Sequence, residues 1–259
     1  MEFAGDGIPL SEAGIAAATS LLGVERVALW ACLRVETSGF GFLPDRRPRI
    51  LFERHIFHRE TGAAFDHTAP DISGASPGGY GAGGPLQYTR LSAAIALNRL
   101  AALRSASWGI GQVMGFHAEG LGYQDVEALV VAMVKSEDEQ LRAMTSFIEE
   151  SGLHRAMQQK DWTSFARGYN GSDFAKNHYD DKLSAEYAKL LIQGPPDLRV
   201  RSAQLYLTYR GLDPGPIDGV MGDRTRSALK RFQEEAGLKA TGDVDDETLA
   251  SLSRRTDPP

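Results

Sequence analysis

Cysteine, excess positive charge and long apolar segments are all scarce in this 259-residue sequence. The single cysteine, Cys32, excludes an internal disulfide, and its apolar surroundings favour a buried, inert thiol over a nucleophile. The net charge of −6 and the lack of a long basic run disfavour nucleic acid as a partner. Because no apolar run approaches the ~18 residues of a membrane span, we expect no membrane association.

Length and composition bound the architecture. With 42% hydrophobic and 24% charged residues, the sequence has the composition of an ordinary globular protein. Its length allows one good-sized domain and a small one. Residues 1–14 are acidic and lack the basic segment and apolar core of a secretory signal. We therefore expect the protein to be made and kept in a cytoplasm, so that an external substrate would require a separate route of release.

Hydrophobic periodicity predicts a mainly α-helical first domain, residues 1–192, with at most a small sheet. Residues 50–53 favour a short strand. The predicted helices cover residues 12–22, 25–36, 55–61, 91–103, 126–134, 136–152, 162–171 and 174–192, and Ser11, Ser136 and Asp161 are the predicted caps. Residues 193–197, rich in glycine and proline, are the predicted linker.

Beyond the linker, residues 198–259 predict a small three-helix domain in which a turn, a capping residue and a helix recur. This domain is near the lower size limit for independent folding. Its predicted core consists of Leu205, Leu207, Ile217, Leu229, Phe232, Leu238 and Leu249.

Glu36 is the strongest candidate for a catalytic acid. It lies in the last turn of the apolar helix 25–36, on the same face as Cys32 and Leu33. Partial burial and the negative end of the helix dipole both disfavour the carboxylate anion, so both raise its pKa. A general acid that works near neutral pH requires such a shift.

A second carboxylate, Glu53, follows the predicted strand among apolar residues. It is our candidate for the partner of Glu36, although an ion pair with Arg54 or Arg59 is almost as well supported by the sequence alone. Asp45, in the preceding loop, is the reserve candidate.

The long irregular segment 63–88 contains six glycines between residues 74 and 84. Loops of this length inside a compact domain are usually functional or disordered. Tyr80 either lines a groove there or belongs to a flexible flap. We expect core packing for Trp108 and Trp162.

Several motifs together resemble a known family. Residues 1 to about 192 resemble the phage-type N-acetylmuramidase domain, a distant relative of goose-type lysozymes and lytic transglycosylases. The resemblance rests on six motifs in order: VETSGFGF, RPRILFERHIF, PGGYG, SWGIGQVMG, SEDEQLRAM and ARGYNG. Residues 198–253 are similar to peptidoglycan-binding domain type 1, through LDPGPIDGVMGDRTRSALKRFQEEAGL and TGDVDDETLASL. The whole resembles a phage endolysin, which degrades the host wall from within.

The resemblance implies roles for individual residues. Glu36 matches the general acid of lysozymes, Gln112 the glutamine that lines the sugar groove, and Tyr169-Asn170 the pair beside the catalytic glutamate. Amide, hydroxyl and aromatic groups of this kind bind glycans. The resemblance implies peptidoglycan as the partner and no cofactor, and we expect a monomer whose small domain tethers the enzyme to the wall.

Hydrolysis of the β-1,4 bond between N-acetylmuramic acid and N-acetylglucosamine is the favoured function. A lytic transglycosylase, which uses the 6-hydroxyl of the sugar instead of water, is the closest alternative. A zinc amidase is disfavoured, because His55, His58 and His67 lack the HExxH spacing and we predict no metal site. A non-catalytic wall-binding protein is also disfavoured, because it has no need of a buried Glu36.

Overall fold

The computed structural model describes residues 2–37, 39–171, 175 and 177–255, and within these ranges the chain is mainly helical, as predicted. The helices are α1 Glu12–Leu22, α2 Arg26–Thr37, α3 Arg54–Glu60, α4 Leu86–Leu97, α5 Arg99–Arg104, α6 Val126–Lys135, α7 Glu137–Glu150, α8 His154–Gln159, α9 Trp162–Asn170, α10 Tyr179–Gln193, α11 Leu198–Tyr209, α12 Asp223–Glu235 and α13 Asp246–Ser253. The strands are β1 Ile50–Phe52, β2 Ala106–Trp108 and β3 Val113–Met114, followed by the 3-10 turn Gly115–His117.

Side chains at the helix termini account for several of these boundaries. Ser11 accepts a hydrogen bond from the backbone N–H of Gly14, and Gly23 ends α1 with φ 61°, a conformation that favours glycine. Ser136 and Asp161 cap α7 and α9 in the same way as Ser11. All three predicted caps are confirmed.

The predicted helix 91–103 is wrong in its bounds, because the structure has two helices, α4 and α5, that meet at Asn98. Asn98 is extended, with φ −159°, and its side chain accepts a hydrogen bond from the N–H of Ala101. An asparagine side chain competes with helical hydrogen bonding in this way, so it ends one helix and caps the next. The predicted start of the last helix of this domain, Phe174, lies outside the described residues, and α10 begins at Tyr179.

A three-stranded antiparallel sheet, in the order β1-β2-β3, packs against the helices. Ile50 of β1 pairs with Trp108 of β2, which in turn pairs with Val113 of β3. The sheet places Glu53 directly after β1 and Gln112 in the turn between β2 and β3.

The core of the first domain surrounds α2. All six residues from Ala28 to Leu33 are at most 1% exposed, so this helix is buried nearly all round, as its apolar sequence predicts. Trp108 and Trp162 are buried as well, which confirms core packing for both. Among the described residues, no single helix is long and apolar enough to span a membrane, whereas α1 and α2, bent by 105° at their break, pass that test only as a pair.

The C-terminal region folds as the predicted three helices, α11 to α13, and contains a structural repeat. The buried amide of Gln204 accepts from the N–H of Gly219 and donates to Thr225. Gln233 repeats the arrangement one unit later, accepting from Gly242 and donating to Thr248. Each glutamine therefore joins one tight turn to the helix that follows it.

Two residues predicted for the core of this module lie elsewhere. Leu205 and Ile217 form a separate buried cluster with Phe42 of the first domain. Leu207, Leu229 and Phe232 do pack together in the module, with Leu238 and Leu249 partly buried against them. Helical spacing shows that a residue is apolar on one face, but not which partner that face meets.

A buried ion pair also joins the two regions. Arg201 on α11 and Glu137 at the start of α7 have side chains that are 1% and 0% exposed. Arg201 Nη1 and Nη2 lie 2.6 and 2.8 Å from the two carboxylate oxygens of Glu137. Arg201 also donates to the carbonyl of Gly39, and Glu137 accepts from the N–H of Gly41. These contacts dock the module beside the end of α2, while its predicted function of tethering the enzyme to the wall stays a prediction.

Candidate active site

Glu36 lies in the last turn of α2, as predicted, and is partly exposed. Its Oε1 accepts one hydrogen bond, 3.3 Å long, from Nδ2 of Asn170. Burial raises the pKa of Glu36 from 4.5 to about 7, and the hydrogen bond from Asn170 opposes this rise only in part. Within the described ranges, no arginine, lysine or histidine is ion-paired with Glu36. About half of the Glu36 side chains are therefore protonated at pH 7 and able to donate a proton.

The end of α9 packs against this acid. The Tyr169 hydroxyl donates to the carbonyl of Gly111 over 2.6 Å, and the ring stacks on Phe165 with centroids 5.4 Å apart. Burial, and then the nearby charge of Glu36, raise the pKa of Tyr169. The structure thus brings Glu36, Tyr169 and Asn170 together, and Tyr169 also links α9 to the β2–β3 turn.

Gln112 lies in that turn with φ 48°, a strained conformation for a residue other than glycine. Its amide nitrogen donates to the carbonyls of Gly109 and Arg49, and its Oε1 accepts from the Ser107 hydroxyl. These three bonds hold the turn in place and occupy the polar groups of the side chain. The geometry indicates that Gln112 holds the β2–β3 turn in its conformation, while direct contact of Gln112 with sugar stays a prediction.

Glu53 precedes α3, and its side chain is 15% exposed. Burial raises its pKa, opposed by a hydrogen bond from Tyr80 and by the positive charge of Arg90. Its Oε2 lies 3.2 Å from Nδ1 of His55 but has no hydrogen-bond partner among the described residues. In the same ranges, neither of the arginines weighed as ion-pair partners is within salt-bridge distance of Glu53.

Tyr80 hydrogen-bonds to Glu53, so the glycine-rich loop reaches this carboxylate. The loop is held to β1 by Gln87, which donates to the carbonyls of Tyr80 and Ala82 and accepts from the N–H of Phe52. These bonds hold the loop against β1, while both interpretations of Tyr80, a groove-lining residue or part of a flap, stay predictions.

The other candidates are engaged elsewhere. Asp45, the reserve carboxylate, is 2.6 Å from Arg47. His58 contacts Asp66, and the described residues contain no group of three side chains suited to hold a metal ion.

Arg49 was not singled out in the sequence, yet it lies beside the candidate acid. Its Nη1 donates to the carbonyl of Thr37, and its guanidinium lies 4.6 Å from the centroid of the Phe40 ring. Its place in the RPRILFERHIF motif, directly before the apolar residues 50–52, is the signal that could have revealed it.

A helical lysozyme-like domain with a neutral glutamic acid at a helix end, docked to a small three-helix module, defines a class of cell-wall glycosidases. Comparison with known proteins agrees with this class. The N-acetylmuramidase family model matches residues 25–191, and the model of the peptidoglycan binding domain matches residues 197–252. The chain belongs to the N-acetylmuramidase family and is a peptidoglycan-cleaving glycosidase.

A solved structure is also similar. The crystal structure of the Burkholderia AP3 phage endolysin matches with a TM-score of 0.64 and 41% sequence identity, over 70% of this chain and 71% of that chain. No curated protein matches the sequence.

Proposed function

We propose that the protein is a phage endolysin that hydrolyses the β-1,4 bond between N-acetylmuramic acid and N-acetylglucosamine, with Glu36 as the general acid. The observation that carries this proposal is the raised pKa of Glu36, about 7, at the end of the buried helix α2. A neutral carboxylic acid donates a proton to the glycosidic oxygen as the bond breaks, and the resulting anion is stabilised by the Nδ2 donor of Asn170.

Glu53 serves as the second carboxylate. Its buried Oε2, with no hydrogen-bond partner among the described residues, is suited to accept a proton from an attacking water or to steady the positive charge on the sugar. The Tyr80 hydrogen bond and the nearby Arg90 favour its anionic form against the effect of burial. Tyr169, Asn170 and Gln112 line or order the sugar-binding cleft.

A lytic transglycosylase is the second candidate, favoured by the same pKa. A carboxyl group with a pKa near 7 can donate a proton to the leaving oxygen and then take one from the 6-hydroxyl of the sugar. That route does not need Glu53.

Mass spectrometry of digested peptidoglycan distinguishes the two reactions, because the anhydro product is lighter by one water. We expect reducing, hydrated ends from the wild type and about a 100-fold or greater loss with Glu53→Gln. Anhydro ends together with full activity of Glu53→Gln would establish the transglycosylase instead. If Glu36→Gln kept full activity, the acid would be misassigned.

In the infected cell, we propose, the enzyme acts as a monomer that accumulates in the host cytoplasm and lyses the wall once it gains access. The support is the pairing of a muramidase domain with a peptidoglycan binding domain in one chain. Lysis of host cells by added enzyme, lost in Glu36→Gln, tests the wall as the target.

A further inference from the structure

A groove of about 570 Å³ runs between the two domains. The first domain contributes Phe40, Pro44, Arg49 and Gly84, and the second contributes the loop 211–217. Arg49 links the groove to the end of α2, because its Nη1 donates to the carbonyl of Thr37, the residue after Glu36, over 2.8 Å. The groove therefore contacts the C-terminal end of α2, the helix that carries Glu36.

The groove contains a cation, Arg49, that has no counterion among the described residues. Arg49 is half-buried, and no carboxylate of the described residues lies within salt-bridge distance of it. The neighbouring cations Arg34 and Arg47, in contrast, are paired with Glu186 and Asp45 at 2.7 and 2.6 Å. Burial lowers the pKa of Arg49. A desolvated guanidinium of this kind is suited to bind a carboxylate.

The other lining groups suit a carbohydrate. Phe40 is partly exposed and lies under the guanidinium of Arg49, so an aromatic face and a cation meet at one place. Pro44 and Pro216 form exposed, rigid parts of the rim. Aromatic faces stack on the apolar faces of sugar rings, and rigid walls bind without a large cost in entropy.

Contacts between the two domains fix the two walls of the groove relative to each other. The Arg201–Glu137 ion pair fixes α11 against Gly39 and Gly41, on either side of Phe40 in the chain. Leu205 and Ile217 pack on Phe42 from the module side. The loop 211–217 is thus a fixed wall, and the groove exists before any ligand binds.

We propose that this groove binds the peptidoglycan strand beyond the bond that is cleaved, with a sugar ring against Phe40 and a stem-peptide carboxylate paired with Arg49. The proposal rests on the proposed function and deepens it. In this arrangement the C-terminal module forms part of the substrate cleft and does more than anchor the enzyme. The consequence is a preference for long strands that carry peptides over short or peptide-free glycans.

Pro216→Glu tests the proposal from the module side, because it places a carboxylate in the groove that competes for Arg49 and repels the stem peptide. Pro216 is exposed, so the fold should tolerate the change. Pro70→Glu is the matched control, since it makes the same replacement at an exposed proline that does not line the groove. Melting temperatures of both variants are compared with the wild type first.

Initial rates are then measured on three soluble substrates: long strands with stem peptides, the same strands after enzymatic removal of the peptides, and a tetrasaccharide. We expect Pro216→Glu to lower kcat/KM about tenfold on peptide-bearing strands, and to leave the tetrasaccharide rate unchanged. The loss should shrink on peptide-free strands, and Pro70→Glu should match the wild type on all three.

Unchanged rates on peptide-bearing strands with Pro216→Glu would overturn the proposal, and an equal loss on all three substrates would do the same. An equal loss on both kinds of long strand would overturn the assignment of the stem peptide to Arg49. A wild type that cleaves none of the three substrates would instead contradict the proposed function itself, so the two failures are distinguishable.

Discussion

Two glutamates in the first domain are withdrawn from water, Glu137 completely and Glu36 in part, yet their partners differ. Glu137 has a side chain with 0% exposure, and its carboxylate is fully engaged by Arg201 and by the N–H groups of Leu10 and Gly41. Glu36 accepts one hydrogen bond, from Asn170, and is not ion-paired with any described cation. Burial without a counterion raises the pKa of Glu36 to about 7.

The difference shows that the partner of a buried carboxylate decides its function. A paired carboxylate keeps its charge and holds chain segments together, whereas an unpaired one keeps its proton and is available for chemistry. Arg201 and Arg49 differ in a similar way, because Arg201 is ion-paired with Glu137 whereas Arg49 has no carboxylate within salt-bridge distance among the described residues. The following predictions test this contrast.

The largest effect should come from Glu36→Gln. The amide keeps the shape and the hydrogen bonding of the acid but cannot donate the proton to the leaving oxygen, so kcat on peptidoglycan should fall about 1,000-fold. Glu137→Gln should reduce activity only through stability, so any activity lost should return on lowering the temperature. Turbidity loss of purified walls measures both variants. If Glu36→Gln and Glu137→Gln lost activity to a similar extent at all temperatures, the proposed difference between the two glutamates would be contradicted.

Arg201→Met should destabilise the protein by about 3–5 kcal/mol, because it leaves the charge of Glu137 buried without a partner. Arg199→Met, on the same helix, is the control. Arg199 and Asp246 form an exposed pair, with side chains 51% and 92% exposed, so losing it should cost under about 1 kcal/mol. Urea unfolding of both variants measures the difference. A small effect of Arg201→Met would show that the docking of the module does not depend on this pair.

The Glu36→Gln variant should also be more stable than the wild type at alkaline pH. The folded protein holds the Glu36 proton up to about pH 7, whereas the unfolded chain loses it near pH 4.5, so wild-type stability falls as pH rises between these values. The variant avoids that loss, and above pH 7 it should be more stable by up to about 3 kcal/mol.

Chemical unfolding at pH 4.5 and at pH 8 measures this gain. Glu12→Gln serves as the control, because it should lower stability where Glu36→Gln raises it. Arg26 lowers the pKa of Glu12, so the negative charge of Glu12 stabilises the fold above pH 4.5. Equal stability of wild type and Glu36→Gln at both pH values would contradict the raised pKa.

The smallest predicted effect concerns the alkaline limb of activity. Glu36 must be protonated, so kcat/KM of the wild type should fall as pH rises through about 7. Asn170→Ala removes the hydrogen bond that favours the anion, so the limb should move to higher pH, by up to about one unit. A pH profile on soluble glycan measures the shift. A limb that stays in place, or moves to lower pH, would contradict this interpretation of Asn170.

The sequence allowed a good part of the site to be predicted. The apolar run before Glu36 predicts a buried helix that ends at an acid, because both burial and the helix end follow from local residue types. The bounds of α2, α6 and α9 agree with the prediction to within about a residue for the same reason. The break at Asn98 was missed, since the apolar spacing continues across it and only the side-chain geometry ends the helix.

Contacts between distant parts of the chain could not be predicted. Arg201 follows three helical positions in a segment of mixed polarity, and nothing local shows that Glu137, 64 residues earlier, is its partner. Leu205 and Ile217 look like core residues of the small domain, although they cover Phe42. Such pairings depend on how the two domains dock, which hydrophobic periodicity does not encode.

Cys32 gives the enzyme a built-in reporter. The thiol is the single one in the chain, is fully buried and lies one helical turn before Glu36. A thiol-specific reagent can reach it only when α2 separates from its surroundings, so the labelling rate of the native protein measures how often the catalytic helix opens. Labelling followed with and without a bound glycan would then report whether substrate closes the domain around its acid, without any engineered cysteine.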